Sequence, residues 1–192
     1  MKDSLERVVV WRSLIAEGTD YCALWRTSAG WRLKGTAISA ARGSAAMVAR
    51  YEVHCDEGWR TRRVEIEVIH ARQTRTLELT VDDSGRWLAE RELPEVAGCI
   101  DVDLAITPAT NTLPIRRLNI PAGESREMTA AWIKFAGLEC ERLPQRYTRL
   151  SSDTYRYESG NFVSEIIVDE LGLVISYKDA WERVSGQAFE DD

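Results

Sequence analysis

CIDVDLAITPATNTLPIRR, residues 99–117, carries more structural information than any other part of the chain. Its first half alternates: Ile100, Val102, Leu104 and Ile106 fall on one side, and Asp101, Asp103, Ala105 and Thr107 on the other. That period of two predicts a strand. Thr, Pro and Asn residues then break it into a turn-rich loop with a Pro-Ile-Arg-Arg exit. Two carboxylates two residues apart on a strand share a face, about 6–7 Å from each other. Such a face is not ordinary core unless the carboxylates are paired, hydrogen-bonded or wet. Arg116 and Arg117 follow the loop as pairing cations, so the stretch predicts a polar site built into a sheet.

Outward from this stretch the chain reads as strand almost everywhere. Segments 7–13, 20–27, 31–40, 48–55, 61–70, 74–81 and 86–91 precede it, and 127–135, 139–143, 148–150, 154–158, 162–168 and 174–177 follow. Turn residues separate them, among them Arg42-Gly43-Ser44, Asp82-Asp83-Ser84-Gly85 and Asp169-Glu170-Leu171-Gly172. Several segments alternate cleanly, as Tyr51, Val53 and Cys55 do with Arg50, Glu52 and His54. Pro144 places its segment at an edge, a bulge or a strand entry. Only 178–184 is read as a short helix, at the C-terminal end, and 185–192 as a flexible tail. Many short strands without long helices predict an antiparallel all-β protein, with residues 1–192 as one domain and 7–184 as its ordered core.

Composition narrows the function classes. A chain of 192 residues, 44% hydrophobic and 29% charged, suits a folded domain and not a disordered one. A net charge of -6 disfavours general nucleic-acid binding, which needs clustered cations. The basic residues are mostly arginine, suited to planar pairing with carboxylate or phosphate. Cys22, Cys55, Cys99 and Cys140 form no CxxC pair, which predicts free thiols in the cytoplasm. The apolar run at 8–11 is too short for a signal peptide or a spanning helix. No Gly-rich phosphate loop, HExxH, EF-hand or GxSxG pattern occurs, and His54 and His70 are the two histidines.

Two further clusters are candidate binding residues. Trp59, Arg60 and Arg62 lie in GWRTRRVE beside a glycine turn. Arg146, Arg149 and Arg156 interleave with Tyr147, Tyr155 and Tyr157 as a polar recognition wall, or as cation–π pairs within a sheet. The seven Trp suit contacts with sugars or lipid headgroups, although large aromatics mostly serve as core.

The blocks VVWRSL (9–14), YEVHCDEGWRTR (51–62), GCIDVDLAITPATNTLPIRRL (98–118), TAAWIKF (129–135), LPQRYTRL (143–150) and YRYES (155–159) resemble, in order, the bacterial glycolipid-binding family. The resemblance spans nearly the whole chain. It implies a spiral β-roll, an open curled sheet like the half-barrels of lipoprotein carriers, and the binding of a glycolipid or similar amphiphile. It implies no catalytic residues.

The expected function is therefore non-enzymatic binding of an amphiphile, without cofactor, metal or nucleic acid. The apolar portion would lie against the concave face of the curled sheet. Candidate headgroup residues are Asp101, Asp103, Asn111, Arg116, Arg117, Arg146 and Tyr147, with Trp59, Arg60 and Arg62. One alternative is an enzyme using the Asp101/Asp103 pair, which requires a carboxylate of raised pKa in a pocket. The other is a structural or protein-interaction module, in which Asp101–Arg117 only locks the roll and an apolar patch or sheet edge is exposed.

Overall fold

The computed structural model describes residues 3–40 and 45–188. The turn expected at Arg42-Gly43-Ser44 and the last four residues of the expected tail lie outside these. The first seven strands are β1 (Ser4–Ser13), β2 (Glu17–Thr27), β3 (Gly30–Ala40), β4 (Met47–Cys55), β5 (Thr61–His70), β6 (Gln73–Val81) and β7 (Trp87–Leu88). They are followed by β8 (Val102–Leu104), the single α-helix α1 (Thr112–Leu118) and β9 (Ser125–Ile133). The chain ends with β10 (Cys140–Arg149), β11 (Thr154–Ser159), β12 (Phe162–Val168), β13 (Val174–Tyr177) and β14 (Trp181–Ala188).

All fourteen strands join one sheet in the order β7-β6-β5-β4-β3-β2-β1-β14-β13-β12-β11-β10-β9-β8. Two meanders thus meet through the first and last strands of the described chain. Val9 pairs with Gly186 and Val10 with Ser185, so residues expected as tail form part of the central ladder. The sheet's two ends are β7 and β8, which are consecutive in the chain. Laid flat, fourteen strands would put them roughly 60 Å apart at about 4.8 Å per strand. The link from Leu88 to Val102 reaches at most about 50 Å fully extended. The sheet must therefore curl, and it does so without closing into a barrel. Where the curl brings its ends together, the Thr61 amide donates to the Ile100 carbonyl at 3.2 Å. The Val102 amide donates to Thr61 Oγ1 at 3.0 Å.

The inner face is filled by the chain itself. Inward residues of the strands, such as Trp11, Leu24, Leu33, Val53, Val64 and Leu79, are buried. Leu104 of β8 and Leu113, Ile115 and Ile120 from the segment after it are buried with them in one cluster. Each such side chain contributes about 1.5–3 kcal/mol relative to exposure. The concave face expected to shelter an acyl chain is occupied by this plug. The indoles of Trp11 and Trp87 find carbonyl acceptors at Val174 (2.7 Å) and Cys99 (2.9 Å), as buried Trp requires.

Residues 99–117 differ from the expected long alternating strand. Only β8 is strand, and it runs parallel to β9 while the other ladders among the described residues are antiparallel. Val102 and Leu104 are buried, but so are Asp101 and Thr107 from the other expected face. The expected loop holds α1, the single α-helix among the described residues. Pro114 sits in its first turn, where backbone amides lack intrahelical partners and proline costs little. Asn119 ends it in the left-handed conformation, and Arg116 and Arg117 occupy its last turn, where cations suit the helix dipole. The helix expected at 178–184 does not form: Asp179 and Ala180 make a turn into β14. Expected strand 86–91 shortens to β7. Segments 139–143 and 148–150 fuse into β10, because Pro144 pairs only with β9 where the β11 ladder has not begun. The cysteines are free thiols.

Buried charge sits at defined points. Asp101 accepts a forked pair of bonds from Arg117, Nε to Oδ1 at 3.0 Å and Nη2 to Oδ2 at 2.6 Å. Removing the carboxylate strands the guanidinium, and breaking a buried pair costs about 3–5 kcal/mol. Asp101→Ala is expected to lower unfolding free energy by that amount in urea titration; a loss below about 1 kcal/mol would contradict the pairing.

Asp20 on β2 is fully buried, and its Oδ2 accepts from the hydroxyls of Tyr51 (2.9 Å) and Thr107. Its Oδ1 has no partner among the described residues. The Tyr51 ring reaches this point across Gly35, where a Cβ would overlap it. Burial pushes the Asp20 carboxyl up to about 7 against the pull of Thr107 and Tyr51. Between about pH 4 and that value the unfolded chain is ionised here while the native state stays protonated. The native state then binds more protons, so stability falls as pH rises through this window. Urea titrations across it are expected to show at least about 1 kcal/mol of such loss, at 1.36 kcal/mol per pKa unit. Asp20→Asn is expected to flatten the slope, and an unchanged slope would assign it to other groups.

Candidate functional site

A cleft of about 530 Å³ opens where the turn after β4, the end of α1, the β10–β11 turn and the β12–β13 turn converge. Asp56 builds the first turn: its Oδ1 accepts the Gly58 and Arg60 amides at 2.9 and 3.0 Å. Trp59 is held there at φ 64°, which turns the indole inward to stack on Trp31 at 4.5 Å between centroids. Arg116 lies over the same indole at 5.7 Å from its centre. Trp59 is therefore a wall of the cleft and not a free stacking platform.

The cleft's charge comes from three arginines. Arg117 is neutralised by Asp101. Arg116 donates to the Glu170 carbonyl at 3.1 Å, and its chain packs on Gly172, whose φ of +83° and close approach leave no room for a side chain. Arg149 donates to the carbonyls of Ile120, Ser151 and Ser152 at 3.0, 3.0 and 2.6 Å. Bonds to carbonyls fix Arg116 and Arg149 without cancelling their charge. Both oppose the burial that raises the Tyr155 phenol. The acids on the rim are engaged elsewhere: Asp169 with Arg7 and Arg183, Glu170 with Arg7, Glu57 with Arg26. The cleft can therefore take an anion between Arg116 and Arg149.

The structure brings three of the expected site residues here, Trp59, Arg116 and Arg117, with Asp101 beneath them. The others are elsewhere. Asp103 accepts from Gln145 Nε2 at 2.5 Å, and the Tyr147 hydroxyl donates to Asn111 Oδ1 at 2.9 Å. Burial pushes Asp103 up to about 6, opposed by bonds from Gln145 and Thr110. Burial also raises Asp101, opposed by the bonds and charge of Arg117 and the charge of Arg60. The two aspartates thus have separate partners and do not form the expected pair. Arg146 points outward into a different groove with Glu127 and Glu158. Arg62 binds Asp56 at 3.0 Å, and Arg60 is exposed.

Arg149 and Tyr155 belong to the cleft although the sequence placed them in a wall with Arg146 and Arg156. Period-two alternation separates them: Tyr147 and Arg149 share one side of β10, and Arg146 takes the other. A larger groove, about 680 Å³, crosses the outer face of β2–β6 between Tyr21, Trp25, Lys34, Arg50, Glu65 and Glu78. The charges that line it are paired with each other, Lys34 with Glu52 at 3.0 Å and Arg50 with Glu67.

Comparison with known proteins follows this geometry. A family model described as "Putative glycolipid-binding" matches residues 8–183. Among solved structures, the crystal structure of a DUF1089 family protein from Pseudomonas aeruginosa is 32% identical, with a TM-score of 0.78, covering 86% of this chain and 92% of that one. None of the curated proteins matches. No helix among the described residues is long and apolar enough to cross a membrane. With the matched span taking in β1 to β14, the chain belongs to the family described as "Putative glycolipid-binding".

Proposed function

We propose that this protein binds a glycolipid or similar amphiphile whose headgroup carries negative charge, and that residues 1–192 act as one binding domain. The observation that carries this reading is the pair of guanidinium groups, Arg116 and Arg149, fixed by carbonyls and facing one polar cleft. Charge-assisted bonds from preoriented arginines to an anion are among the strongest available. The cleft is large enough for a sugar-sized headgroup and small for a whole lipid.

An apolar stripe supports a place for the tail. Tyr21, Val184, Ile175 and Ile167 are each 38–52% exposed on β2, β14, β13 and β12. Val10, opposite Tyr21 in the register, joins β2 to β14. The stripe ends at Ile167 on β12. The same stripe favours a second reading, a protein-interaction face. Against the enzyme reading, Asp101 is dry and ion-paired and Asp103 is covered by Gln145.

The test is co-sedimentation with phosphatidylcholine vesicles, alone or containing phosphatidylinositol. Binding is expected only where the anionic, polyhydroxylated inositol headgroup is present. Arg116→Ala is expected to weaken it about tenfold or more, since a charge-assisted bond is worth about 1.5–3 kcal/mol. Equal binding to both vesicles, or none to either, would sink the headgroup reading, and the latter would favour the interaction face.

A further inference from the structure

On the outer face of the sheet, away from the cleft, Glu52 and His54 lie two residues apart on β4, and Glu65 on β5 stands directly opposite Glu52. Like charges directly opposed across a ladder destabilise it. Here the row continues, because Glu78 on β6 stands opposite Glu65. The flanking cations hold the carboxylates in a particular way. Lys34 Nζ takes Glu52 Oε2 at 3.0 Å, and Arg63 takes Glu65 Oε1 at 3.1 Å. The remaining oxygens, Glu52 Oε1 (also 3.6 Å from Arg32 Nε) and Glu65 Oε2, both face His54 Nε2, at 3.1 and 3.6 Å. All three donor atoms lie within 4.8 Å of one another.

Those separations have a chemical reading. With metal–ligand bonds of about 2.0–2.2 Å, donors around a tetrahedral zinc ion stand about 3.3 Å apart. The 3.1 and 3.6 Å edges bracket that value, and 3.6 Å is too long for a hydrogen bond. Lys34 and Arg63 then act as the outer partners that fix ligand carboxylates at metal sites. One imidazole with two carboxylates suits zinc-class ions, whereas calcium and magnesium prefer all-oxygen sets. The 680 Å³ groove, lined by Glu52 and Glu65, leaves an open side for water or an exogenous donor.

We propose that Glu52, His54 and Glu65 form a three-donor site for a divalent transition-metal ion of the zinc class, independent of the arginine cleft. The test is calorimetric titration of chelator-treated protein with zinc, and with calcium as a control. One saturable zinc site is expected and none for calcium. His54→Ala and Glu65→Gln are each expected to weaken zinc binding at least about tenfold, the scale at which even outer-shell changes act. Glu67→Gln, on the same face of β5 but paired with Arg50 and not with the donor set, is expected to leave it nearly unchanged. Far-UV circular dichroism checks that each variant keeps its fold. Cobalt substitution is expected to give a spectrum without a thiolate charge-transfer band. Absence of a saturable zinc site, survival of binding in His54→Ala, or a thiolate band would each overturn the assignment.

Discussion

The link from β7 to β8 is the constraint on which the rest of this structure depends. It joins the two ends of a fourteen-stranded sheet and is too short to do so across a flat one. Curling is therefore imposed by connectivity and assisted by the ordinary twist of strands. A curled sheet has an inner face that must leave water, and the residues after the link supply the cover. Leu104, Leu113, Ile115 and Ile120 fill the curl, while Thr61 bonds β5 to the start of β8. The interior expected to hold a ligand is thereby spent on the protein's own core.

What the plug does to polar groups explains where function is left to reside. Asp101 enters a dry region and draws Arg117 down with it, and Asp103 takes Gln145. Arg116, one residue from Arg117 on a short helix, cannot follow the same carboxylate and meets backbone carbonyls at the rim. Arg149 is held in the same manner from β10. Carbonyl acceptors satisfy donors but leave the charge, so the rim keeps cations without counterions. The outer face obeys a different rule: there Lys34, Arg50 and Arg63 each meet a glutamate, and His54 bridges two of them. Charge on that face is balanced locally, so it supports metal coordination better than recognition of an anion.

Much of this was legible in the chain before any coordinates. Alternation in segments such as 48–55 and 61–70 set the strands and the inward side chains, because a half-buried strand has period two. The turn at 169–172 was visible in its Asp and Gly. The cost of burying carboxylates called for a pairing arginine near 101–103, and the structure assigns Arg117 to Asp101. Residues 99–117 were misread where burial on both sides removed the meaning of alternation, and where Pro114 looked like a breaker although a first helical turn tolerates it. Residues 178–184 were misread as helix, since pairing with β1 outweighs a local preference.

Sequence alone determined the fold class, the free thiols and the family, since each rests on local pattern or on motif. Only the tertiary structure decided that the concave face is plugged, that Asp101 and Asp103 part company, and that Arg116 meets Arg149 at one cleft. Those facts depend on which strands the short β7–β8 link brings face to face, a long-range constraint that no local pattern encodes.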